Sequence, residues 1–224
     1  RQRFEDAVAI DQIDSFPAGQ TDVPSRFSIS QKLYGRESEL ERLHEALERA
    51  IQGRKEMLLV SGYAGIGKTS LVRGMQHPVL QRQGYYVTGK FDPLHRNIPY
   101  SSILYAFMDH ILNLLTEKEE AVEKWRNQLQ NVLGSIGQVL VEVIPEMELI
   151  IGKQSPVPAL PPKEEQSRFN RAFQQFIQVF ARPEHPLVLF LDDLQWADSA
   201  SLQLIKLFLT DSDTHNLLII GAYR

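Results

Sequence analysis

The 224-residue sequence contains no cysteine. That removes disulfide frameworks, thiolate zinc sites and thiol nucleophiles, and it suits the reducing cytoplasm, the location expected for this chain. It also lacks an excess of positive charge: 24 Lys and Arg stand against 28 Asp and Glu, a net charge of -4. No basic field therefore draws in nucleic acid or anionic lipid, and neither is expected as a partner. Long hydrophobic runs are missing as well. The longest, such as residues 187–191 (LVLFL) and 217–220 (LLII), fall far short of the ~20 residues that a bilayer-spanning helix needs, so membrane insertion is not expected. The opening RQRFEDAVAI has neither a basic leader with an apolar core nor an initiating methionine, and reads as the start of a fragment, not as a signal peptide.

What is present is organised in blocks. Residues 1–32 mix Pro17, Gly19, Pro24 and scattered polar residues without a sustained period, as expected of a linker from an upstream domain. From residue 33 regular patterns begin. Leu40, Leu43, Leu47 and Ile51 recur at helical spacing. Residues 57–60 form a short apolar run that predicts a strand buried on both faces. Further strands are predicted at 85–88, 187–191 and 217–220. Between them lie helical patterns carried by Ile103, Phe107, Ile111 and Leu115, by Val122, Trp125, Leu129 and Val132, and by Phe169, Phe173, Phe176 and Phe180. Strands alternating with helices predict an α/β fold with a mainly parallel sheet. Thr116 with Glu119 reads as a capping box, and Asp198 as the cap of a helix carrying Leu202, Ile205 and Phe208. Pro156, Pro158, Pro161 and Pro162 predict an extended break in the helical region between the second and third strands.

The strongest local signal is residues 62–69, GYAGIGKT, which fit G-x-x-x-x-G-K-[ST], the phosphate-binding loop. Gly62, Gly65 and Gly67 allow dihedrals that side chains forbid and let main-chain N–H groups approach phosphate oxygens. Lys68 supplies a mobile positive charge for the β- and γ-phosphates, and the Thr69 hydroxyl a ligand for Mg²⁺. Ile66 and Ser70 flank these positions and complete the expected nucleotide-binding set. The second signal is Asp192 and Asp193 at the end of an apolar strand. Successive strand residues point in opposite directions, so the two acids are expected to differ in role: Asp192 toward Mg²⁺, and Asp193 as the base that polarises the attacking water. Arg224, after the last apolar run, is expected to reach the γ-phosphate.

Together, LYGRE at 33–37, the phosphate loop and LVLFLDDLQWAD at 187–198 resemble the STAND class of P-loop ATPases, relatives of AAA+ proteins. More narrowly, residues 16–37 with GKFDPLHRNIPY at 89–100 resemble the ATPase module of large bacterial multi-sensor signalling kinases. The resemblance covers nearly the whole chain. It implies a three-layer P-loop NTPase core over 33–224 with a helical insertion between strands 2 and 3, its fourth strand between those of the phosphate loop and the paired acids. It also implies that a last strand and a helical lid, usual in the family, are not within the sequence, leaving the phosphate-loop strand at a sheet edge. Leu33, Tyr34 and Arg36 become adenine contacts, and Arg224 a sensor of the γ-phosphate. The cofactors implied are ATP and Mg²⁺. The partners implied are other domains of the same polypeptide: a Ser/Thr kinase upstream, and helical repeats, a GAF sensor and a histidine kinase downstream.

The function expected from this set is ATP-Mg binding with slow hydrolysis as a regulatory switch. A nucleotide-stabilised interaction scaffold and a small-molecule phosphotransferase are the alternatives. ATP over GTP rests on the resemblance, with no N-K-x-D motif to read guanine. Arg168 and Arg171 on the helix of phenylalanines are either solvated or arginine fingers toward a neighbouring copy; the phosphate-loop strand at a sheet edge predicts weak stability or self-association.

Overall fold

The computed structural model describes residues 35–96 and 98–224. The expected linker (1–32) and two of the expected base contacts, Leu33 and Tyr34, lie outside the described residues. Strands β1 (Lys55–Ser61), β2 (Tyr85–Lys90), β3 (Leu187–Asp192) and β4 (Leu217–Tyr223) form one parallel sheet in the order β1-β4-β3-β2. All six residues of β3 are buried, because alternate side chains enter two different helical layers. Leu187, Leu189, Leu191, Leu217 and Ile219 enter one core, and Val188, Phe190, Leu218, Ile220 and Ala222 enter the other. This double-sided burial explains why the central strands read as unbroken apolar runs.

The smaller core is covered by α1 (Glu37–Ile51), α2 (Lys68–Arg73) and α3 (Gln76–Gln81). The larger core is built from α4 (Ser101–Leu114), α5 (Glu119–Leu133), α6 (Gly137–Val141), α7 (Met147–Ile151), α8 (Pro162–Phe180) and α9 (Ser199–Thr210). Helix α8 lays Phe169, Phe173, Phe176 and Phe180 along its buried face. Phe180 alone meets Trp125, Tyr85 and His110 at centroid separations of 5.1, 5.8 and 4.9 Å. Burying each such ring stabilises the fold by roughly 1.5–3 kcal/mol, so the insertion between β2 and β3 is part of the core and not an appendage to it.

Two expectations are corrected. Strand β1 is only half-buried, with Leu59 53% exposed, because β1 lies at an edge of the described sheet and is covered on fewer sides than β3 and β4. Thr116 does not open α5; its hydroxyl turns back to the carbonyl of Asn113, and Lys118 holds the N-cap position without a side-chain bond. Helices α6 and α7 are additions. They are one-turn elements whose apolar residues are interrupted by Gly137 and Pro145, too short for a period to show. The Asp198 cap is observed, Oδ1 accepting from the Ser201 N–H at 2.8 Å. Among the described residues, no helix is long and apolar enough to cross a membrane.

Candidate functional site

Because all four strands run parallel, Ser61, Lys90, Asp192 and Tyr223 end at the same edge of the sheet, where open α/β folds place ligands. The chain leaves β1 through residues 62–67 into α2. Gly65 and Gly67 have φ of 77° and 93°, a region that costs a residue with a Cβ about 1–2 kcal/mol. A Cβ at either would meet no heavy atom within 4 Å, so conformation alone demands glycine there and the space over the loop stays open. Gly62, at φ 159°, is near-extended; a Cβ there would approach Ile66 Cγ2 to 3.1 Å. Among the described residues the N–H groups of Gly65, Gly67, Lys68 and Thr69 have no main-chain acceptor. Lys68 Nζ donates to the carbonyls of Gly62 at 2.7 Å and Tyr63 at 3.0 Å, which draws its charge across the loop.

The start of α2 is joined to the end of β3 by a side-chain bond: Thr69 Oγ1 donates to Asp192 Oδ2 at 2.8 Å. The other oxygen of Asp192 accepts the N–H of Asp193 at 2.9 Å, so this buried carboxylate has both oxygens engaged. Asp193 is not a strand residue. With φ 54° and ψ 42° it leaves the extended conformation, and its carboxylate lines the same cavity as that of Asp192. Strand alternation therefore does not separate the two acids; their different hydrogen-bond partners do.

That cavity, about 320 Å³, is lined by Gly65, Gly67, Lys68, Thr69, Ser70, Lys90, Asp192, Asp193 and Arg224. The sequence did not single out Lys90, whose Nζ is 3.8 Å from Asp193 Oδ2, nor Gln195, whose Nε2 donates to Asp193 Oδ1 at 2.8 Å. Lys90 ends a strand parallel to the one carrying the acids, and that position was the signal available. A second cavity of about 240 Å³ adjoins the loop. Arg36, Glu39, Leu43, Leu58, Leu59 and Ile66 line it, and it shares Gly67 and Lys68 with the first. Arg36 pairs with Glu39 at 2.9 Å, holding that carboxyl below its ordinary pKa, and reaches toward the Ile66 carbonyl at 3.4 Å. Arg168, an alternative finger, instead donates to the Pro158 carbonyl at 2.6 Å, while Arg171 is exposed.

Carboxylate and hydroxyl oxygens as a donor set suit a hard cation such as Mg²⁺, and Thr69 and Asp192 present theirs to one cavity that an open glycine cradle adjoins. The residues present fit the group.

Residues 32–220 match the model of the AAA ATPase domain family. The chain is 40% identical over 198 residues to hybrid signal transduction histidine kinase G of Dictyostelium discoideum, which covers 88% of this chain and 6% of that protein. It is 22% identical over 191 residues to histidine protein kinase 1 of Candida albicans, covering 79% of this chain and 8% of that one. The chain thus spans less than a tenth of the length of these curated relatives. Among solved structures, the Aeropyrum pernix ORC1 protein in complex with DNA aligns with a TM-score of 0.40 and 16% identity, over 86% of this chain and 40% of that one. By the extent of its family match, the chain belongs to the AAA ATPase domain family.

Proposed function

We propose that this chain binds ATP with Mg²⁺ and hydrolyses it slowly, as a nucleotide-dependent switch inside a multidomain signalling kinase. The observation that carries this reading is the convergence of Lys68, Thr69, Asp192, Asp193 and Arg224, from three strand ends, on one cavity over an open glycine loop. The free N–H groups of the loop and Lys68 take the phosphate tail, with Ser70 beside them. Lys68 Nζ exchanges its two loop carbonyls for phosphate oxygens, a gain because a charge-assisted bond to an anion is stronger than one to a neutral carbonyl. Arg36 and Ile66, which line the second cavity, hold the base there; Leu33 and Tyr34, the other base contacts of this reading, lie outside the described residues.

Bound Mg²⁺, held by Thr69 and Asp192, would neutralise phosphate charge that these residues otherwise face alone. Asp193 orients a water and accepts its proton as the water oxygen bonds to the γ-phosphorus. The bond from that phosphorus to the bridging oxygen breaks, and ADP leaves with the electron pair. Arg224 meets the γ-phosphate, so that ATP and ADP favour different settings of the end of β4. A switch requires such a difference, since a ligand with equal affinity for both states shifts neither. The histidine kinase relatives support a signalling context, with kinase, sensor and helical-repeat domains as the partners that read the switch.

Calorimetric titration with ATP and Mg²⁺, with GTP as competitor, tests this reading. Lys68→Ala should weaken binding by about a hundredfold or more, whereas Asp193→Asn should keep affinity within about threefold and lower turnover by about a hundredfold. A folded chain that gives no binding heat, or that is indifferent to Lys68→Ala, would overturn it.

A further inference from the structure

Gln195 connects two parts of the cavity that come from different strands. It sits in the one-turn 3₁₀ helix Leu194–Trp196 that follows β3. Its Nε2 donates to Asp193 Oδ1 at 2.8 Å, and its Oε1 accepts the main-chain N–H of Arg224 at 3.2 Å. The orientation of the amide is dictated by chemistry. A main-chain N–H only donates and an ionised carboxylate only accepts, so a flipped amide would set donor against donor and acceptor against acceptor. One planar group thus has both ends committed, each to a residue at the rim of the phosphate cavity.

The consequence for Asp193 is specific. Its positive φ of 54° is conformationally costly for a residue with a side chain, and what the turn achieves is a carboxylate facing the cavity. Gln195 occupies Oδ1, and Lys90 Nζ stands 3.8 Å from Oδ2, beyond hydrogen-bond distance. Among the described residues Oδ2 has no hydrogen-bond donor, so it is the oxygen placed to accept a proton from a cavity water.

We propose that Gln195 is a positioning residue: it fixes the Asp193 carboxylate with Oδ2 presented to the attacking water, and it ties that carboxylate to the end of β4, so that Asp193 and Arg224 change setting together. The proposal rests on the reading of Asp193 as proton acceptor and Arg224 as γ-phosphate contact. Gln195 itself touches no reacting atom. When Arg224 is drawn toward a γ-phosphate, its N–H carries the Gln195 amide with it, and the carboxylate follows through a bond that does not require β3 to move. Loss of the γ-phosphate then slackens base and sensor as one unit.

Turnover and Mg-ATP affinity of the unaltered chain, Gln195→Ala, Gln195→Glu, Asp193→Asn and the double variant Gln195→Ala/Asp193→Asn provide the test. Gln195→Ala should hold affinity within about threefold, lower kcat at least about tenfold, and add nothing further to Asp193→Asn, because a residue acting through another loses its effect when that other is removed. Gln195→Glu gives a sharper readout. Two adjoining carboxyls share one proton over a range of pH; with that proton the introduced group donates to Asp193 as the amide did, and without it two anions repel. Its kcat optimum should move toward acid by about one pH unit or more, with activity recovering at the acid end. A merely structural role in the turn predicts a lower melting temperature with the pH optimum unmoved, and that outcome, or full additivity with Asp193→Asn, overturns the proposal. If Asp193→Asn loses turnover while Gln195→Ala keeps it, this inference alone fails. If Asp193→Asn hydrolyses normally, or the unaltered chain neither binds nor turns over ATP, the functional reading fails and takes the inference with it.

Discussion

Thr69 and Asp192, 123 positions apart, share a 2.8 Å hydrogen bond in which the hydroxyl donates to Oδ2. The start of α2 and the end of β3 are thereby held together, with the two oxygens expected to hold Mg²⁺ side by side. Asp192→Asn keeps the size and an acceptor but removes the charge. We expect ATP affinity in the presence of excess chelator to change by less than about threefold, and the tightening conferred by Mg²⁺ to fall at least about tenfold, or ~1.4 kcal/mol. Paired calorimetric titrations with and without Mg²⁺ check this.

Gly65 is held at φ 77° with open space where a side chain would begin. Gly65→Ala therefore tests conformation without a clash. It should destabilise the fold by about 1–2 kcal/mol, a fall of roughly 2–8 °C in melting temperature for a domain of this size. It should also weaken nucleotide binding beyond what the loss of stability explains. Scanning calorimetry with and without ATP separates the two effects.

Asn216 is buried at φ 52°, and its side-chain amide donates to the carbonyls of Ala50 at 2.9 Å and Ile51 at 3.1 Å. It thus ties the last turn of α1 to the entry of β4. Asn216→Gly retains the backbone freedom but removes both bonds, leaving the Ala50 carbonyl with the Gly53 N–H at 3.0 Å and the Ile51 carbonyl without its side-chain donor, whereas Asn216→Ala also incurs the left-handed strain. Chemical denaturation should show a loss of about 1–3 kcal/mol for glycine and about 1–2 kcal/mol more for alanine. Equal losses would locate the whole effect in the side-chain bonds.

His110 is wedged between Tyr85 and Phe180 at ring separations of 4.9 Å, and burial lowers its pKa to about 4. In the unfolded chain the imidazole titrates near 6.5, so between pH 6.5 and 4 the unfolded state binds the extra proton. Stability from this group is fully present above pH 6.5 and is lost as pH falls toward 4, by at most about 3 kcal/mol. Denaturation midpoints across that window should decline, and His110→Phe should flatten the decline.

Much of this was legible in the sequence because it depends on local order. The phosphate loop is a contiguous conformational requirement, met by glycines at fixed spacing. The apolar runs of β3 and β4 announce strands covered on both faces, and the four phenylalanines of α8 announce a buried helical stripe. Less legible were features decided at a distance. Alternation along a strand misjudged Asp193, since one positive φ returned its carboxylate to the cavity of Asp192. Lys90 and Gln195 carry no motif of their own; what marks them is proximity to Asp193, which appears only when the ends of β2 and β3 lie side by side.

The amino-acid order by itself determined the alternation of strands and helices, the open turn at residues 62–69 and the acidic end of β3, because hydrophobic period and glycine placement act within a few residues of chain. Only tertiary structure decided which charges share a cavity, which oxygen of Asp193 the Gln195 amide takes, and that the Arg224 main chain and Asp193 meet through one amide. The physical reason is the parallel crossover of the sheet: it brings the ends of strands far apart in sequence to one edge, where Coulombic and hydrogen-bond terms that depend on a few ångströms take over from patterns that depend on spacing along the chain.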